Sequence, residues 1–246
     1  MDKKQNKLTI VLSILVAALI IGGAIIYVVR GGSKSTVGGT QSSSTPSLAD
    51  QGLSVEGLQL RGDAKAPATL LEFGDFQCVA CAQYFHVVEP QIEKDLVSTG
   101  KVNEAYKVLT FIDDYAQKSG TGESWHAAQA AMCAADQGKF WEMHDVIYQA
   151  EVDEALAGKQ NENSGNLTDS FFMNAAKKIN LNETQFASCY NSQQHSDQIK
   201  SFMTDAVKAM GQQISTPSLY LIKNGQAQKI ANPFDVASLE AMITGK

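Results

Sequence analysis

Apolar and polar positions follow three successive patterns along this chain. The first is an apolar run without charge, Leu8 to Val29. Its 22 residues would span ~33 Å as a helix, against a hydrocarbon core of about 30 Å. Lys3, Lys4 and Lys7 precede it and Arg30 closes it. The run is longer than the apolar part of a cleaved signal peptide, and no small-x-small cleavage site marks a mature start. It predicts a transmembrane signal anchor over 8–29 and a cytoplasmic tail over 1–7. The lysine cluster outweighs Arg30 and Lys34, which places the N-terminus inside and the rest outside.

The second pattern, Gly31 to Ala49, is rich in Gly, Ser and Thr and has no period. It predicts a flexible linker over 30–50 with an end-to-end distance on the order of 24 Å. Such a tether keeps the remainder near the membrane and raises its effective concentration for an embedded partner.

The third pattern begins at residue 51 and mixes strand and helix periods. Val55–Leu60 predicts an edge strand before the turn Arg61-Gly62-Asp63. Thr69–Phe73 predicts a buried strand. Ala82–Leu96 carries Phe85, Val88, Ile92 and Leu96 at helical spacing, with a kink expected at Pro90. Val102–Leu109 predicts the next strand, parallel to the first through a right-handed crossover. A helical stretch from about 119 to 210 follows. Within it, Glu123–Gln137 and Lys139–Glu151 read as helices, Val152–Asn166 as a loop, and Thr168 as the cap of a helix to Ile179. Asn182 with Gln185 reads as a capping box for the helix holding Cys189, before a last helix from Gln194 to Met210. The end returns to a sheet: Ser218–Ile222, the hairpin turn Asn224-Gly225, Gln226–Ile230, then a helix from Asp235 to Thr244.

Composition changes this picture little. The chain has 246 residues and a net charge of −6. About 195 residues past the linker suffice for one domain with a sizeable core. No basic patch with interleaved aromatics is present, which argues against nucleic-acid binding. Four cysteines on the outer side fit an oxidising compartment.

The chemistry concentrates in Asp75-Phe76-Gln77-Cys78-Val79-Ala80-Cys81. Two cysteines three apart in the first turn of a helix share one face and lie close enough to bridge. Cys78 would sit at the helix N-terminus, where unpaired N–H groups and the dipole stabilise a thiolate. Cys78 is therefore the candidate nucleophile and Cys81 the resolving partner. The competing readings are half of a zinc site or an inert structural pair. No second paired motif with ligand spacing accompanies it, so no metal is expected. Glu72 admits two readings: a strand-edge carboxylate facing solvent, or a buried acid that moves protons for the cysteines. Cys133 and Cys189 each sit on a helix and admit a structural disulfide, two buried thiols or a second redox pair; the structural disulfide is preferred. Pro217 is either a plain loop proline or a cis proline that leaves the backbone before it free for an extended substrate. His86, His126, His144 and His195 lack metal spacing and read as structural or exposed.

These residues resemble a known family. Gly62-Asp63-Ala64-Lys65-Ala66-Pro67, Glu72-Phe73-Gly74-Asp75-Phe76-Gln77-Cys78, the stretch from Cys133 to Asp145, and Thr216-Pro217 are similar to the membrane-anchored DsbA-like thiol–disulfide oxidoreductases. The resemblance covers Val55 to the end. It implies an α/β thioredoxin fold with a helical insertion. It also implies Cys78 as nucleophile, Cys81 as resolving cysteine, Pro217 as the cis proline, Glu72 as the nearby acid, and a Cys133–Cys189 disulfide like that of some relatives. Val79, Ala80 and Thr216 would flank the substrate. No cofactor is expected. Reduced secreted proteins are the expected substrates and a membrane reoxidase of the DsbB or VKOR type the expected partner. Two departures stand out: Val79 replaces the proline usual after the first cysteine, and Ser215 stands where relatives often have glycine. Both bear on the redox potential. The reading is therefore a cell-membrane thiol oxidase, with a reductase or isomerase on the same scaffold as the alternative. A non-catalytic binding or chaperone module is the third choice.

Overall fold

The structure, a computed structural model, describes residues 46–159 and 162–245. The expected tail and anchor, and the linker up to Thr45, lie outside these residues. Among the described residues no helix is long and apolar enough to cross a membrane.

A sheet of four strands, β1 (Ala68–Gly74), β2 (Asn103–Val108), β3 (Ser218–Lys223) and β4 (Gln226–Lys229), is ordered β2-β1-β3-β4. β1 pairs parallel with β2 and antiparallel with β3, and β3 antiparallel with β4. The parallel pair needs a crossover, which the helix after Cys78 supplies. β3 and β4 join through Asn224 and Gly225 at φ 53° and 73°, the left-handed pair a tight hairpin requires. β1 is covered on both faces, so its sequence is almost continuously apolar rather than alternating. Leu71 and Phe73 belong to a large core shared with the helical insertion. Leu70 joins a smaller one with Tyr84, Ile92, Leu221 and Leu239.

The crossover is not one kinked helix. α1 (Val79–Val87) stops, and α2 (Glu89–Ile92) restarts with Pro90 in its first turn, before a π-helical turn over Glu93–Val97. Proline cannot donate to the carbonyl four residues back and its ring crowds that carbonyl. The chain breaks at Val88, where the proline becomes a tolerated first-turn residue.

The expected strand Val55–Leu60 does not form. Gly57, at φ 77°, turns the chain, and Arg61 alone bridges the sheet through paired backbone bonds to Glu104. Packing also begins before residue 51: Leu48 lies against the core. The Lys107 ammonium ties this segment down by donating to the Gly52 carbonyl (2.9 Å) and the Asp205 carboxylate (2.7 Å).

The insertion comprises α3 (Phe111–Tyr115), α4 (Glu123–Ala135), α5 (Phe140–Leu156), α6 (Asp169–Lys178), α7 (Glu183–Asn191) and α8 (Ser196–Met210). α9 (Val236–Thr244) closes the chain. Thr168 and Asn182 cap α6 and α7 by accepting from the N–H groups of Phe171 (3.2 Å) and Gln185 (3.0 Å). α5 runs past Glu151, where a loop was expected, because Glu151 and Val152 are buried and hold the next turn in place. A disulfide joins Cys133 of α4 to Cys189 of α7, with Cα atoms 5.8 Å apart.

Candidate active site

The site lies where β1 hands the chain to α1. Cys78 is the N-cap of α1, in extended backbone (φ −74°, ψ 116°). The turn before it is held from inside by Asp75. Its carbonyl accepts from the Cys78 N–H (2.9 Å) and the Tyr148 hydroxyl (3.2 Å). Its carboxylate accepts from the N–H groups of Gln77 (3.0 Å) and Ile112 (3.1 Å), which ties the turn to α3. Burial nevertheless pushes the Asp75 carboxyl up to about 7. Gly74 is required by close approach: a Cβ there would run into the Tyr106 hydroxyl and the Glu72 carboxylate. Tyr106 in turn hydrogen-bonds Tyr148, hydroxyl to hydroxyl, at 2.6 Å.

Cys78 and Cys81 both carry free thiols. Their surroundings push them apart. A hydrogen bond from the Cys81 thiol is the main cause that brings Cys78 down to about 6. Burial opposes it, and the Thr216 side chain and the N–H groups of Cys81 and Ala80 add to it. The Thr216 hydroxyl is buried and makes no other hydrogen bond: the observed contact of Cys78 with Thr216 is to its carbonyl. Cys81 is held well above the usual thiol range by burial, by Cys78 and by Glu72. Cys78 is 8% exposed and Cys81 1%, so the more acidic sulfur is also the more accessible one. Between them Val79 is exposed and Ala80 half-buried. They give the rim an apolar surface and no polar group.

Thr216 and Pro217, joined by a cis peptide, approach from the start of β3. The Cys78 sulfur donates to the Thr216 carbonyl at 3.6 Å. Cys78, Cys81, Val79, Ala80, Thr216 and Pro217 thus come together in one place. The Cys133–Cys189 disulfide belongs to the insertion instead. Ser215 braces the turn into β3 by accepting from the Ser218 hydroxyl at 2.7 Å.

Glu72 does not face solvent. It is buried, and its carboxyl is raised well above its ordinary range by burial, by Glu104 and by Cys78, with Arg61 opposing. It belongs to a buried charged group that the sequence reading did not assemble. Glu104 on β2 is raised to about 7 by burial. Glu89 on α2 is raised further, by burial and by both other carboxyls. One guanidinium serves this group: Arg61 bonds Glu89 (3.3 Å) and Asp145, and stacks over Trp141 at 4.3 Å. His144, expected to be structural or exposed, is fully buried and bonds Asp145. Glu89, His144 and Asp145 bring donor atoms within 4.8 Å of one another. The Arg61 guanidinium already bonds Glu89 and Asp145, so a cation here would meet a positive charge in place. The available signal was an acidic residue within each of two apolar strand segments, Glu72 and Glu104.

Comparison with known proteins bears on the family and the fold. A family model described as thioredoxin matches residues 54–244. The probable disulfide bond formation protein D of Bacillus anthracis is 28% identical over 98% of this chain and 97% of its own. The Na(+)/H(+) antiporter NhaA 3 of Salinispora tropica is 39% identical over 36% of this chain, and the match spans only 12% of that protein. Among solved structures, oxidised BdbD from Bacillus subtilis superposes with a TM-score of 0.63 at 20% identity, covering 78% of this chain and 94% of that one. The chain belongs to the thioredoxin family, and it shares the fold of the DsbA-like structures, a thioredoxin sheet with a helical insertion.

Proposed function

We propose that this chain is an extracytoplasmic thiol oxidase, held at the membrane by residues 8–29, that introduces disulfides into reduced secreted proteins through Cys78 and Cys81. The observation that carries this reading is the split in acidity between the two sulfurs, with Cys78 near 6 and Cys81 far above it. Stabilising the Cys78 thiolate lowers the energy of the dithiol form and makes the disulfide form a stronger oxidant.

In the disulfide form a substrate thiolate attacks the Cys78 sulfur. The Cys78–Cys81 bond breaks, its electron pair passes to Cys81, and Cys81 takes up a proton. A second substrate thiolate then attacks the substrate sulfur of the mixed disulfide. The substrate leaves with its own disulfide, and Cys78 leaves as a thiolate. Glu72 is the buried acid whose charge acts on Cys81, and it handles that proton. The backbone beside Thr216 and Pro217 receives an extended substrate segment, with Val79 and Ala80 as its apolar rim. A membrane quinone-linked reoxidase of the DsbB or VKOR type removes the two electrons. The end-to-end match to a relative named for disulfide bond formation supports this direction.

The test mixes the oxidised full chain with a reduced, unfolded secreted protein and follows thiols on both. The expected result is one substrate disulfide gained per Cys78–Cys81 pair reduced, abolished in Cys78→Ala. Reduction or shuffling of existing substrate disulfides, without net oxidation, supports a reductase or isomerase. No exchange in either direction leaves a binding or chaperone module.

A further inference from the structure

His144 sits in a cage of rings. Phe76, Phe85, Tyr106, Phe140, Trp141 and Tyr148 all contact it, with centroids 4.8–6.2 Å away. The imidazole is fully buried, yet its two nitrogens face different surroundings. Nδ1 lies 2.9 Å from the carboxylate of Asp145, a half-exposed side chain. Nε2 has no hydrogen-bond partner and faces Oε1 of buried Glu89 at 3.8 Å. The other titratable groups facing this ring are Tyr106 from β2, Tyr148 from its own helix, and Arg61, whose guanidinium holds both Glu89 and Asp145.

We propose that Glu89, His144 and Asp145 form a proton relay linking solvent to the carboxyls beneath the cysteine pair. The relay rests on the oxidoreductase reading above, because that chemistry requires a proton to cross the buried side of the site. Reoxidation of the dithiol removes two electrons to the named reoxidase. Cys78, already a thiolate, releases no proton; the thiol of buried Cys81 must release one. Glu72, whose charge acts on both Cys81 and Glu89, receives that proton and passes its own on to Glu89.

The nitrogen roles fit export. Asp145 is a carboxylate, so Nδ1 carries the hydrogen and Nε2 a lone pair directed at Glu89. Burial keeps the ring neutral, with its pKa lowered to about 4, and Glu89 protonated. Glu89 gives its proton to Nε2 while Nδ1–H gives its own to Asp145, which hands it to water. The reverse transfers, from the opposite tautomer, supply the proton that Cys81 needs when the disulfide is reduced. The orphaned nitrogen is then a working position rather than a packing fault.

The test uses the oxidised full chain and measures its rate of reduction by a small dithiol, in light and heavy water, from pH 5 to 8. Asp145→Asn keeps an acceptor for Nδ1–H but cannot carry the proton. It is expected to slow reduction by about tenfold or more, to enlarge the solvent isotope effect, and to leave the equilibrium constant with glutathione unchanged. Formate, a small proton carrier, and Asp145→Glu should both restore the rate. Glu89→Gln should slow it without rescue by formate. Rates within about twofold of the parent with an unchanged isotope effect, or nitrogen NMR showing hydrogen on Nε2 in the dithiol form, would overturn the relay. If the parent accepts electrons from the dithiol but oxidises no reduced protein, the oxidase reading falls and the relay stands.

Discussion

The Cys78 sulfur and the Thr216 carbonyl oxygen meet at 3.6 Å across 138 residues of chain. The contact brings the proposed nucleophile, at the N-cap of α1, beside the backbone that leads through a cis proline into β3. A thiol there can donate to that carbonyl, and a bound peptide strand would lie over the same edge. The two cysteines therefore face different partners: Cys78 the substrate side, Cys81 the buried carboxyls.

This division predicts different behaviour for the two single variants. Cys78→Ala should lose all thiol–disulfide exchange. Cys81→Ala should retain attack but stall as a mixed disulfide with substrate, visible as a band shift on non-reducing gels. Equal trapping by both variants would contradict the assignment of nucleophile and resolving partner.

Acidity predicts a pH effect on stability. The folded value for Cys78 is about 6 against an ordinary value of 9.0. For a depressed acid, the stabilisation is present in full above the unfolded value and is lost as pH falls through the folded one. The dithiol form should thus gain stability over the disulfide form as pH rises from about 6 to about 9, by on the order of 4 kcal/mol at most. Denaturant melts of both forms across that range measure it. Thiolate absorbance should titrate near 6 in the parent and vanish from that range in Cys78→Ala.

Gly74→Ala would place a methyl group against the Tyr106 hydroxyl and the Glu72 carboxylate. Overpacking of this kind costs about 1–3 kcal/mol. The thermal midpoint should fall, and the Cys78 titration should shift with it, because the displaced groups lie beneath the cysteine pair. An unchanged midpoint would mean that Tyr106 yields freely.

The Cys133–Cys189 bridge closes a loop between residues 56 apart in sequence. In the chain-entropy view, replacing both by alanine should remove about 4 kcal/mol, an upper figure. Exchange through Cys78 and Cys81 should persist below the new melting point. Loss of exchange in a still-folded variant would give this bridge a direct redox part.

Much of this fold and site is legible in the sequence. The apolar run into Cys78, the spacing to Cys81 and the turn at Asn224-Gly225 are local signals, and local geometry obeyed them. Thr168 and Asn182 capped helices for the same reason: the acceptor lies three residues from the N–H it serves. What failed depends on distant partners. Val55–Leu60 has strand-like residues but meets no strand, because Gly57 turns it away and only Arg61 reaches Glu104. The five residues of α3 are too few to show a helical period. In the sequence His144 is one more residue on a helix. Its meaning comes from Glu89 and Asp145, which only the fold brings to its two nitrogens. The anchor expected over 8–29 lies outside the described residues.

On the proposed reading, the Cys78–Cys81 pair is built to give up its disulfide. Equilibrating the full chain against glutathione mixtures and quantifying the Cys78–Cys81 disulfide measures it directly. Thiolate stabilisation at Cys78 predicts an oxidising potential, near −120 mV on the scale where thioredoxin lies near −270 mV. A value close to that of thioredoxin would contradict the oxidase and assign the chain to reduction instead.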